Sequence, residues 1–109
     1  MNAGFHGEQL CLDASKAEQM IGKLVLVGET RFGHDGQMQE RQQYAGTVLR
    51  INLDEGVVLS DGLDGHERYL PPLLEQYQAA APGAYRMQSN GKMVVDPDYL
   101  VTWDLHARH

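Results

Sequence analysis

Five histidines, one cysteine and an acidic turn are the places where this chain could do chemistry. His66 stands between Asp64 and Glu67, with Asp61 close before them. A carboxylate neighbour raises an imidazole pKa, and clustered carboxylates offer hard oxygen ligands to a cation. The stretch therefore suggests a small-ligand or metal-responsive module using His66 and the Asp61–Glu67 turn. The twelve-residue calcium loop, with its sixth-position glycine and closing glutamate, is not there. Asp61-Gly62 and Asp64-Gly65 are also what a hairpin needs for its own backbone, so the turn reading takes precedence. His106 and His109 are three apart but trail a strand, His6 sits in an unpatterned leader, and His34 sits in a turn.

Nucleophilic chemistry finds no better footing. Cys11, Ser60 and Ser89 lie in no recognised nucleophile context, and the sequence offers none of them a base. As the only cysteine, Cys11 excludes an internal disulfide and a Cys-based zinc site. The glycines mark turns and never take the spacing of a phosphate loop. The sequence leans away from catalysis, and no catalytic residue, metal ligand or cofactor is assigned.

At 109 residues the chain makes one domain, and its 42% apolar and 22% charged residues are those of a chain that folds. Fifteen acidic against 9 basic residues leave a formal charge of −6. That balance repels phosphate backbones, so nucleic acid is not expected, whereas a basic protein partner is steered inward. The longest apolar run, Leu24 to Val27, is far short of a membrane span. The first residues lack a basic segment followed by an apolar one, so no signal peptide is expected. A cytoplasmic setting is the simplest fit.

The elements that must hold these residues are mostly strands. Residues 1–14 read as a loose leader and 15–109 as a single β domain. Ser15 and Glu18 match a capping box opening a short helix that Gly22 closes, with Met20 and Ile21 turned to the core. Leu24 and Leu26 share one face of the first strand. The turn Gly33-His34-Asp35-Gly36 leads into a long second strand whose start, 37–43, is too polar for a sheet centre and reads as a projecting arm. In that strand Tyr44, Gly46, Val48 and Arg50 share one face by period-two alternation. Asn52 to Gly56 is a turn, Val57 to Leu59 a buried run, and 66–70 a further strand stopped by Pro71-Pro72. Pro71 to Glu75 suits a 3-10 turn, and 76–83 has no strand character. Ala84 to Gln88 and Met93 to Val95 flank an Asn-Gly turn. Tyr99 to His106 ends the pattern, with Tyr99, Val101, Trp103 and Leu105 on its inner face.

Short strands at hairpin spacing, with a 3-10 turn between the fourth and fifth, resemble an SH3-like barrel. The expected fold is mostly β: a small SH3-like antiparallel barrel of five to six strands with a short N-terminal helix and a 3-10 turn. PPLL (71–74), PGAYRMQSNG (82–91) and PDYLVTW (97–103) also resemble a small bacterial family of uncharacterised domains over residues 21–103, which implies a fold and no activity. In SH3-like domains aromatics near the 3-10 turn form a groove for extended peptides. By that resemblance Tyr69, Pro72 and Tyr77 are expected at the surface as protein-contact residues, while alternation along the last strand makes Trp103 a core anchor. The function expected is a non-catalytic protein-binding or regulatory domain engaging a basic protein.

Overall fold

A computed structural model describes residues 12–88 and 91–106. Cys11, His6, His109 and Ser89 lie outside the described residues. Helix α1 (Ala14–Met20) is capped by Asp13, whose carboxylate accepts from the Lys16 N–H at 3.1 Å. The cap is thus two residues ahead of the expected Ser15. Gly22 takes φ +80 just after the helix and ends it, as expected. Met20 is fully buried, whereas Ile21 is 45% exposed and does not join the core.

Among the described residues eight strands follow: β1 (Leu24–Phe32), β2 (Met38–Asn52), β3 (Gly56–Asp61), β4 (Glu67–Leu70), β5 (Gln78–Ala79), β6 (Ala84–Arg86), β7 (Met93–Val95) and β8 (Tyr99–His106), with a 3-10 turn at Leu74–Gln76. Among the described residues the protein is mostly β with one α-helix. Six strands form a sheet in the order β4-β3-β2-β1-β8-β5, and β6 and β7 form a separate hairpin. Neighbours in the large sheet are antiparallel except β1 and β8, which run parallel. The expectation of an all-antiparallel arrangement is corrected here. The β6–β7 hairpin gives the chain time to turn back, so β8 enters between β1 and the short β5. Segment 76–83 also does pair, since Gln78 and Ala79 lie against Leu100 and Tyr99.

The sheet curls around one core without closing. Its edge strands β4 and β5 are consecutive in the chain, joined by 71–77, and are not hydrogen-bonded to each other. Inside lie Val25 and Val27 from β1, Tyr44 and Val48 from β2, Val57 and Leu59 from β3, and Leu70, Leu74, Tyr77 and Val101, with Met20 as a lid. On β1 the odd positions face this core. Leu24 and Leu26 sit on the outer face, where Met87 and Val94 of the hairpin segment are buried on the same side. On β2 the period-two pattern holds through Val48, then the register shifts before Arg50. That bulge turns Ile51 inward and Arg50 outward, reversing the expected sides of both.

Candidate functional site

Leu74 and Tyr77 are three residues apart across a 3-10 turn. Three residues per turn place such positions on the same side, and both are buried. Tyr77 is 1% exposed, its hydroxyl donates to the Pro71 carbonyl at 2.9 Å, and its ring meets Trp103 edge-on. It is a core residue, which corrects its expected place at the surface. Tyr69 is exposed, with its hydroxyl donating to Glu67 at 2.8 Å, and Pro72 is half-buried. The three therefore do not form one contact surface.

The acidic turn is also divided by side. Asp61 follows Val57 and Leu59 on the inward parity of β3 and is buried. Its carboxylate receives the Leu63 N–H at 2.8 Å and Arg68 Nε at 2.6 Å. Burial alone would raise the Asp61 carboxyl, but these donors overcome it and hold it below the usual range. His66 points outward to Asp64, with Nδ1 3.3 Å from the carboxylate. Among the described residues no group of three or more His, Cys, Asp or Glu side chains could hold a metal ion.

Arg68 ties this turn to the core. Its guanidinium lies 4.3 Å from the centroid of the Tyr44 ring, and the Tyr44 hydroxyl donates to Glu29 at 2.8 Å. Burial first, then the Glu29 carboxylate, push the Tyr44 phenol far above its ordinary pKa. The chain Asp61–Arg68–Tyr44–Glu29 runs along the inner face from the end of β3 to β1. Trp103 adjoins the same inner face and is partly buried, as the register of β8 places it beside Glu29. Its Nε1 is buried without a hydrogen-bond partner among the described residues. The sequence carried a signal for Asp61, namely its parity with Leu59. It carried none for Arg68, whose role depends on which strand lies beside it.

Beyond the last pairs with β3, strands β2, β1 and β8 continue as a three-stranded arm, the projection expected from residues 37–43. Its outer face is laid out in rows across β2, β1 and β8. Gln43, Gly28 and Thr102 make one row, and Arg41, Thr30 and Asp104 the next. At the tip the Phe32 and His106 rings stack with centroids 4.8 Å apart. An open cleft of about 410 Å³ lies over the first row and over Arg41 and Thr30 of the second, and Asp104 does not line it. One wall is Gln88, whose backbone N–H donates to Gln43 Oε1 at 2.5 Å.

The two edges of the arm differ. On β2, the residues beyond the reach of β3 read Met-Gln-Glu-Arg-Gln-Gln from Met38, polar on both sides. On β8, β5 pairs only with Tyr99 and Leu100, so from Thr102 to His106 the outer edge has no strand beside it among the described residues. That edge carries Trp103 and Leu105. Chains usually blunt an exposed edge with charge, proline or brevity, as β2 does here.

No family model matches the chain, and no curated protein or solved structure matches it. No described helix is long and apolar enough to cross a membrane.

Proposed function

We propose that this is a non-catalytic protein-binding domain that takes up an extended segment of a basic partner along the open edge of β8. The observation that carries the reading is the contrast between the two arm edges. A partner strand added to β8 completes the backbone hydrogen bonds from Thr102 to His106 and lays alternate side chains beside Trp103 and Leu105. The other side of that strand meets Asp104, and the whole chain carries a charge of −6. Both features favour lysine or arginine at the outward positions of the partner. Two copies of this chain paired antiparallel about Asp104 would set the two Asp104 carboxylates opposite each other, which disfavours self-association through this edge.

The fold reading that accompanies this function is an SH3-like barrel opened by insertion of β8. It is supported by the meander β1 to β4, the 3-10 turn, and a β5 that runs in the direction of β4. A protein-contact role for exposed Tyr69 beside Pro72 belongs to the same reading and is secondary, because Tyr77 lies inside.

The test uses an extended peptide of alternating lysine and valine. Titrated into isotope-labelled protein, it should shift the backbone amides from Thr102 to His106 and slow their hydrogen exchange. Unchanged β8 amides, with or without shifts elsewhere, would sink the proposal.

A further inference from the structure

Strand β5 and a partner strand on β8 belong to the same lane. Both lie on the side of β8 that faces away from β1, where β5 already pairs with Tyr99 and Leu100. The lane is therefore open towards His106 and stopped just short of Thr102. The stop is firm. Tyr77 directly precedes β5, its ring is packed in the core, and its N–H closes the 3-10 turn onto the Leu74 carbonyl. The chain entering β5 thus turns inward and cannot swing aside without unpacking Tyr77. A partner segment that runs on in both directions meets β5 and must leave the edge early. A segment that ends there can pair along the whole of Thr102 to His106.

The charge at the stop decides which end of a chain fits. Lys16 Nζ donates to the Tyr77 carbonyl at 3.0 Å, immediately ahead of β5, and its side chain has no second partner among the described residues. An ammonium carries three donors and no acceptor, so two remain for an anion. Lys16 is half-buried, where a charge is screened less than in open water. Glu75 on the 3-10 turn, which would attract an amine instead, is exposed. Strand direction agrees with the charge. A carboxyl end at Thr102 belongs to a strand antiparallel to β8, as β5 is, and antiparallel ladders are the more stable per residue. We propose that the β8 edge takes the free C-terminus of a basic protein, running antiparallel to β8 with its terminal carboxylate paired to Lys16. This rests on the reading of β8 as a peptide-binding edge.

The experiment titrates the isotope-labelled full chain with one lysine–valine peptide in four forms. The first has an acetylated N-terminus and a free acid, the second is acetylated and amidated, and the third has a free amine and an amide. The fourth is the first extended beyond its last valine by a short glycine–serine tail. The free acid should bind about tenfold more tightly than the amide or the extended form, the worth of one charge-assisted hydrogen bond. Lys16→Met should bind acid and amide alike, whereas Lys16→Arg should keep the preference. Because each variant is compared with itself, a small change in its stability does not disturb the reading. A spin label on the N-terminus of the free acid should broaden the amides near His106 and spare those near Thr102. Equal binding of acid, amide and extended form overturns the proposal and leaves the peptide edge standing. So does a preference for the free amine, broadening at Thr102, or a preference for the acid that survives Lys16→Met. Unmoved β8 amides with all four forms overturn both readings together.

Discussion

At the scale of single residues, the side chains with the most chemistry are spent on holding the fold. Asp61 is the clearest case: it was visible as a turn carboxylate, and its inward parity was visible too, but its partner was not. Arg68 reaches it only because β4 folds back beside β3. Asp61→Asn should cost about 1–3 kcal/mol at neutral pH, near the lower end because Arg68 keeps contact with water. The sign with pH follows from depressed carboxyl values. Glu55 is held to about 2 by hydrogen bonds from Arg50 first and Asn52 next, and Asp61 is held below its usual range. Their stabilisation is complete above the unfolded values of about 3.9–4.3 and fades as pH falls through the folded ones. Melts across pH should show a midpoint nearly flat above about pH 5 and falling between about pH 4 and 2. The gap between wild type and Asp61→Asn should narrow over that window. Tyr77→Phe should cost about 1 kcal/mol for the lost bond to Pro71 and leave peptide binding intact. A variant that melts like wild type but fails to bind peptide would return Tyr77 to the contact surface.

At the scale of elements, hairpins and turns were legible because they answer to local rules. Gly33–Gly36, Asn52–Gly56 and the Asp-Gly pair all became the turns their composition implies. Gly56 shows why the residue type is fixed: its φ is +87, and a Cβ there would stand 2.0 Å from the Leu70 carbonyl oxygen. Gly56→Ala should therefore destabilise by about 2–4 kcal/mol through strain and the displaced β4 backbone, read as a lowered denaturation midpoint. Facing was harder. The β2 bulge interrupts alternation after Val48, and β1 has apolar residues on both sides because the hairpin covers its second face. No residue-by-residue pattern distinguishes a bulge from an uninterrupted strand. For β8 the alternation held: Val101 is buried and Trp103 packs on the core beside Tyr77. Trp103→Ala should cost about 2–4 kcal/mol, somewhat below a fully buried tryptophan, with thermal melting as the measure. An unchanged midpoint would mean that the indole contributes nothing to the core.

At the scale of the molecule, the parallel return of β8 was the feature least open to sequence reasoning. Strand order depends on where a late segment docks, and β1 offers the same apolar edge to either direction. The consequence is a curled sheet whose β8 edge, with Trp103 and Leu105 and no strand beside it from Thr102 to His106 among the described residues, lies on an acidic protein. Steering by net charge and by Asp104 should make peptide capture sensitive to salt, because exposed charges are screened beyond a Debye length of about 10 Å at 0.1 M. Raising sodium chloride from about 50 to 500 mM should weaken the lysine–valine peptide several-fold, mainly through a slower association rate. Asp104→Lys should remove most of that salt dependence while keeping the affinity that comes from Trp103, Leu105 and the backbone bonds. The edge and the charge thus make separable contributions, measurable in one set of rate constants. An affinity unaffected by salt, or a variant that binds the basic peptide more tightly, would show that charge plays no part in choosing the partner.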